Sequence, residues 1–226
     1  MARQNTFILS PVNSVITSAM SVTGNTSFAV RLKPSDKLRL PAGRPTLWHL
    51  QRQGRLIRHA FYPALDVRCD SSHINRLNKL LIQAAGDHTA VKGFRFNKTA
   101  GIDRFFSISP EIQGNDVLHI PAQHISQQHR FTALELKVIA VRIDFNSQQI
   151  TGTDTVTIMI DSQEPFKGTD IPLYVVGEGT LLLTLQIRAI HDNGLSCNKQ
   201  FLAADIIAVV PPSAPKRIRL LHIHSG

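Results

Sequence analysis

At 226 residues, with 42% hydrophobic and only 18% charged residues, the chain is long enough to bury one large core or two small ones and too apolar to remain disordered. A net charge of +9 on so few charged residues implies a surface that is part basic and part apolar, of the kind that meets partners. No run of about 18 apolar residues is free of polar interruption, which argues against a helical membrane span.

Residues 5–33 read as β. Thr6-Phe7-Ile8-Leu9, Ser14–Thr17 and Ser27–Leu32 are rich in β-branched or aromatic residues, and Gly24-Asn25 supplies a turn, so an N-terminal β-hairpin is expected. Pro11, Asn13 and Ser14 break the first apolar stretch, which therefore reads as mature chain rather than a leader. Pro34, Pro41, Gly43 and Pro45 make residues 34–45 a linker. Thr46 can cap a helix in which Leu47, Leu50, Gly54, Ile57 and Phe61 recur at three- and four-residue steps, while Arg52, Arg55, Arg58 and His59 fall largely elsewhere and Pro63 ends the run. A second helix is expected from Ser72 to Ala85, with Ile74, Leu77, Leu80 and Leu81 as its apolar stripe and Gly86 at its end.

From residue 91 onward the pattern is β. Apolar or alternating runs at Phe94–Phe96, Phe105–Ile108, Val117–Ile120, Leu134–Phe145, Thr155–Ile160, Leu173–Val176, Leu181–Ile190 and Phe201–Val210 are separated by turn residues, the signature of an antiparallel sandwich or barrel. Pro211–Arg217 is an extended basic link. It leads into an apolar tail, Ile218–Ile223, able to add a strand to this chain or to a neighbour.

The charge is regional. Residues 1–109 hold 16 Lys and Arg against 5 Asp and Glu, whereas residues 110–226 hold 9 against 11. Such segregation serves phosphate neutralisation, head-to-tail docking between copies, or plain solubility. The phosphate-binding candidates are Arg52, Arg55, Arg58, Arg68, Arg76 and Lys79, followed by Lys92, Arg95 and Lys98, because arginine's planar fork donates two hydrogen bonds at once. Phe94, Phe96, Phe105 and Phe106 interleave with the basic residues but fit a core better than stacking platforms. Nucleic acid would then be held through its backbone, without sequence specificity.

Chemistry-bearing patterns are missing. There is no phosphate loop, dinucleotide fingerprint, nucleophile elbow or zinc-protease motif. His119, His124 and His129 are five residues apart, a step that neither a helix nor a strand places on one face, and His222 and His224 share a strand face but lack a third ligand. Asp154, Asp161, Glu164 and Asp170 lack the central glycine of an EF-hand loop and read as a solvated acidic edge. Cys69 and Cys197 have no metal-ligand spacing; two buried, reduced thiols are expected, which fits a cytoplasmic protein, although spacing alone leaves a disulfide open. No catalytic residue, metal or cofactor is expected.

The opening Met1-Ala2-Arg3-Gln4-Asn5-Thr6-Phe7 and the segment Val91-Lys92-Gly93-Phe94-Arg95-Phe96-Asn97 resemble an uncharacterised bacterial family. That family combines an N-terminal hairpin, an arginine-rich helix ending here in Leu56–Phe61, a second helix and a β-rich end. Where the second hairpin strand of that family runs into a Lys/Gly-rich turn, this chain has Lys33-Pro34-Ser35-Asp36-Lys37. The resemblance implies no catalytic residues.

These readings converge on an α+β fold: an N-terminal β-hairpin and two-helix segment (1–90), an antiparallel β-sandwich-like domain (91–210) and an extended basic tail (211–226). The function expected is that of a non-enzymatic structural subunit that assembles with copies of itself into a tube, filament or shell. Phe7, Ile8, Leu9 and Lys216, Arg217, Ile218, Arg219, Leu220 are its strand-forming contacts, and RNA or DNA is a second partner of the basic half. The alternative is a monomeric binding module in which the sandwich recognises a carbohydrate or protein, with Tyr174 as its lone tyrosine in the C-terminal half.

Overall fold

The hydroxyl of Thr46 accepts the backbone N–H of His49 (3.3 Å) and so starts α1, Leu47–Phe61. Leu50, Ile57 and Phe61 form its buried stripe, with Gly54 between them. A Cβ at Gly54 would stand 2.4 Å from Asn78 Oδ1, so the bare backbone there leaves room for the second helix, α2 (His73–Gln83). The chain leaves α2 where Ala85 and Gly86 take positive φ (52° and 89°) and the Gly86 N–H reaches the Leu81 carbonyl at 3.0 Å.

The computed structural model describes residues 45–114, 116–125, 131–192 and 194–212. The expected N-terminal hairpin with Phe7, Ile8 and Leu9, together with His129, Lys216, Arg217, Ile218, Arg219, Leu220, His222 and His224, lies outside the described residues. What is described belongs to one compact unit, Leu40–Gly226.

Among the described residues the strands are β1 (Glu111–Gln113), β2 (Val117–Ile120), β3 (Ala133–Asp144), β4 (Gln149–Asp161), β5 (Thr169–Pro172), β6 (Thr180–His191), β7 (Gly194–Leu195) and β8 (Leu202–Val210). A small sheet runs β1-β2-β5. In the large one β4, β3 and β6 lie side by side, and β8 and β7 pair with different stretches of β6. The pairings are antiparallel throughout, and the fold is α+β.

The alternation along β3 and β6 builds two cores. Leu134, Leu136, Val138 and Ala140, with Leu181, Leu183, Leu185 and Ile187, face the small sheet's Leu118, Ile120 and Ile171 and the rings of Phe105, Phe106 and Phe131. Ile139, Val141, Ile143 and Leu182 point the other way, onto Ile57, Phe61, Leu77 and Leu81 of the helices and onto Phe94 and Phe96. The large sheet is thus the middle layer, with helices on one face and the small sheet on the other.

Polar side chains pin the helical layer to the sheet. Gln186, fully buried on β6, accepts the backbone N–H groups of Asp66 (2.7 Å) and Val67 (3.2 Å) and donates to the Asp66 carboxylate (3.1 Å). Lys137 on β3 also holds that carboxylate, at 2.8 Å. The segment leaving α1 is therefore tied to the middle of the sheet rather than resting on it by apolar contact alone.

Several expected strands take other forms. Residues 105–108 do not pair; Phe105 and Phe106 are consecutive and both buried, which a strand with one wet face cannot achieve, and both their N–H groups return to the Ile102 carbonyl (3.0 Å) in a tight turn. Leu173–Val176 is not a strand of its own: the strand lies just before it, at Thr169–Pro172, and only Leu173 continues the ladder, its N–H on the Asp116 carbonyl (3.0 Å). Phe94–Phe96 lies along β8, with the Phe96 N–H on the Ala204 carbonyl and the Ile206 N–H on the Phe94 carbonyl (both 2.8 Å), and so closes that edge of the large sheet. The cysteines are free, and the expectation that both are buried fails: Cys69 is half-buried and Cys197 exposed, in the loop after β7. No helix among the described residues is long and apolar enough to cross a membrane.

A Cβ at Gly152 of β4 would stand 1.9 Å from the backbone oxygen of Val176, so Gly152→Ala must displace a packed loop. It is expected to cost about 1–3 kcal/mol in a urea melt. Asp205, buried on β8, accepts the Ile102 N–H at 3.0 Å and lies 3.5 Å from Arg95 Nε, yet burial pushes its carboxyl up to about 6 against the pull of both. A carboxyl raised in the folded state makes the protein less stable as pH climbs through the folded value. Relative to Asp205→Asn, the native chain is expected to gain on the order of 3 kcal/mol in unfolding free energy between pH 8 and pH 4.

Candidate functional site

The basic residues of the helical region divide into groups with different surroundings. On α1, Trp48, Arg52, Arg55 and His59 fall at three- and four-residue steps and share the outward face. The Arg52 guanidinium lies 5.3 Å from the centre of the Trp48 ring, and Arg55 Nε lies 3.3 Å from His59 Nε2. Arg58 turns inward. It is only 9% exposed, donates to the Asn78 carbonyl oxygen (3.3 Å), and lies beside the Tyr62 hydroxyl, whose pKa burial raises against the pull of that guanidinium. A groove of about 790 Å³ runs along this face, and the Gln148 side chain forms part of its wall. No Asp or Glu lines it.

Arg76, Lys92, Arg95 and Lys98 meet around a shallow hollow of about 330 Å³ beside Phe94. Here the arginines are committed internally. Arg76 pairs with Asp70, donates to the Arg95 carbonyl (2.7 Å) and lies 5.0 Å over the Phe94 ring. Arg95 pairs with Asp103 (2.8 Å) and Asp205 (3.5 Å). Lys92 and Lys98 are exposed. Arg68, on the connection after α1, and Lys79, on α2, are exposed and line neither hollow.

Phe94, Phe96, Phe105 and Phe106 are all buried in the two cores and offer no stacking surface. Trp48, 64% exposed, and Gln148 join this face without having been among the residues expected there, whereas His59 lies on it as the helix periodicity implied. The position of Trp48 four residues before Arg52, on the polar side of the α1 periodicity, was the signal available. Gln148 had none: it reaches α1 only because the β3–β4 turn, where its φ is +59°, folds back there.

A second surface is the outer edge of β4. The bonds of β8 to residues 93–96 use Ala204 and Ile206, so Ala203 and Asp205 turn toward β6. Carrying that alternation across the sheet directs the even residues of β4 to β3 and turns the N–H and C=O groups of Thr155, Thr157, Met159 and Asp161 outward. The Thr155 N–H is taken by the Asp154 carboxylate (2.8 Å). Among the described residues nothing bonds to the outward groups of Thr157 and Met159.

The remaining polar candidates do not converge. His119 pairs with Asp170 across β2 and β5 (2.5 Å), Asp154 accepts the Tyr174 N–H (2.8 Å), and Asp161 accepts that of Gln163 (2.8 Å). No three His, Cys, Asp or Glu among the described residues could together hold a metal ion.

Asp70 sets the difference between structural and free cations. Burial pushes its carboxyl up, but hydrogen bonds from Ser72, the Lys98 N–H and Arg76 outweigh that and hold it at about 2. Its contribution is present above the unfolded pKa of about 3.9 and is lost as pH falls toward 2. Asp70→Ala and Arg76→Gln are each expected to lower stability by about 1–3 kcal/mol, whereas Arg68→Ala changes it by less than about 0.5 kcal/mol, all read from denaturant midpoints at neutral pH.

No family model matches the chain, and neither a curated protein nor a solved structure matches it.

Proposed function

We propose that the protein is a non-enzymatic structural subunit that assembles with copies of itself, the outer edge of β4 forming the seam. The supporting observation is the character of that edge. From Thr155 to Ile160 it carries no lysine, no proline and no bulge, the devices that ordinarily keep a strand edge from pairing with another chain. Thr155, Thr157 and Met159 are exposed along it, Met159 to 58%. Toward the opposite side of the sheet residues 93–96 cover β8, whereas among the described residues none pairs with the outward backbone groups of Thr157 and Met159.

A second copy of β4 is a suitable occupant. In an antiparallel twofold match, Thr157 stands opposite Met159 of the second copy and Met159 opposite Thr157, all outward-facing groups. Asp161 then faces Thr155 rather than another carboxylate. Such a seam gives pairs. The terminal segments Phe7–Leu9 and Lys216–Leu220 supply the second contact that extends pairs into a tube, filament or shell. In that assembly the arginines of the helical layer meet RNA or DNA phosphate.

The test is the size of the particle in solution, by light scattering and negative-stain microscopy before and after nuclease. Thr157→Pro removes an outward N–H without touching the β3 ladder, and Met159→Lys leaves the backbone unchanged. Either variant is expected to drop the native multimer to a smaller species while changing the unfolding free energy read from a denaturant melt by no more than about 1 kcal/mol. Multimers unchanged in both variants would place the seam elsewhere. A native chain that stays monomeric at every protein and salt concentration would overturn assembly. It would leave the monomeric binding module, with the exposed Tyr174 and Val176 of the β5–β6 loop as its contact surface.

A further inference from the structure

The groove on α1 holds three arginines whose charges no carboxylate among the described residues answers. Arg52, Arg55 and Arg58 lie three residues apart on one helix, a spacing at which like charges repel. Two are exposed and could be there for solubility. Arg58 is different: its side chain is nine-tenths buried in the groove floor, and its neighbours Asn78 and Tyr62 are neutral. A buried guanidinium without a counter-charge is costly, and the cost falls when an anion enters.

Two further features narrow the anion. Trp48 stands exposed at the mouth, one ring face toward Arg52, as a platform for another planar group. The carbonyl oxygen of Gln148 is buried beside the same groove with no hydrogen-bond partner among the described residues. Bare phosphate or sulfate would leave that acceptor facing negative oxygen. A nucleotide carries what the groove lacks: a phosphate for Arg55 and Arg58, a base to stack on Trp48, and base or ribose donors for Gln148. The volume, about 790 Å³, lies within the usual range of ligand sites.

We propose that this groove binds single-stranded nucleic acid, stacking an unpaired base on Trp48 between arginine-held phosphates. Duplex is disfavoured because its bases are already stacked on one another and cannot reach the ring. The inference rests on the nucleic-acid part of the proposed function and is independent of the β4 seam.

Trp48 is the only tryptophan in the chain, so intrinsic fluorescence reports on this site directly. The full-length protein is titrated at low salt with a short oligothymidylate, a short oligouridylate, a duplex of matched length, and heparin as a polyanion without bases. Quenching by either single strand, at least about tenfold tighter than by duplex, is the expected result. Trp48→Ala, read by oligonucleotide anisotropy, is expected to weaken single-strand binding about tenfold or more, with Trp48→Phe retaining most of it and heparin binding unchanged. Because Trp48 is exposed, circular dichroism should show the variants folded. Equal affinity for duplex and single strand, or no effect of Trp48→Ala, would overturn base stacking while leaving a phosphate-binding surface. No binding to any of the four probes would overturn both that surface and this site.

Discussion

The large sheet is buried on both faces along β3 and β6, and the rest of the architecture answers that constraint. β3 sends Leu134, Leu136 and Val138 one way and Ile139, Val141 and Ile143 the other, and each set needs a cover. The small sheet with Phe105 and Phe106 supplies one, and the pair α1–α2 with Phe94 and Phe96 supplies the other. A helical pair this short would be marginal alone. Gln186, satisfied within the sheet-facing layer by Asp66 and Val67, fixes where the connection between the helices begins, and a polar group at that depth tolerates few alternative dockings.

That arrangement determines which surfaces are left over. Covering β8 with residues 93–96 uses the segment between the helices and the small sheet, so no segment among the described residues covers β4 from Thr155 to Asp161. Docking α1 by Leu50, Ile57 and Phe61 turns Trp48, Arg52 and Arg55 outward by helical geometry alone. The β4 edge and the α1 groove are thus consequences of how the two cores close, and they are chemically distinct. One offers backbone groups and neutral side chains, the other positive charge and an aromatic face.

Among the described residues the regional basicity does not form a single basic surface. Arg76 and Arg95 are drawn into ion pairs with Asp70, Asp103 and Asp205, acids that a simple count treats as minor offsets. These pairs tie the stretch after α2 to β8 and to the tight turn at Ile102. Among the described residues, Arg68, Lys79, Lys92 and Lys98 stay exposed and without an ion pair at scattered positions, whereas Arg52, Arg55 and Arg58 stand together, also without a carboxylate partner, on α1. Net charge therefore indicated that an anionic partner is plausible chemistry for this half, but the location of the free charge depended on which carboxylates folding brought within reach.

Local periodicity was legible wherever one residue's environment repeats along a single element. The stripe of α1, the cap at Thr46, the stop at Gly86 and the extended runs that became β3, β6 and β8 could be read from residue spacing, because backbone geometry alone sets those repeats. The strand length of β4 was underestimated: its first half is polar, and it pairs because β3 lies beside it, not because its own residues demand a strand. Phe105–Ile108 and Leu173–Val176 are apolar for another reason: Phe105, Phe106, Leu173 and Val175 are buried from segments that form no strand of their own. Arg58 reads as surface on a helical wheel yet is buried, since α2 leans over it through the gap at Gly54. Partner, burial and free edge are properties of contacts between segments far apart in sequence, and only the tertiary structure decides them.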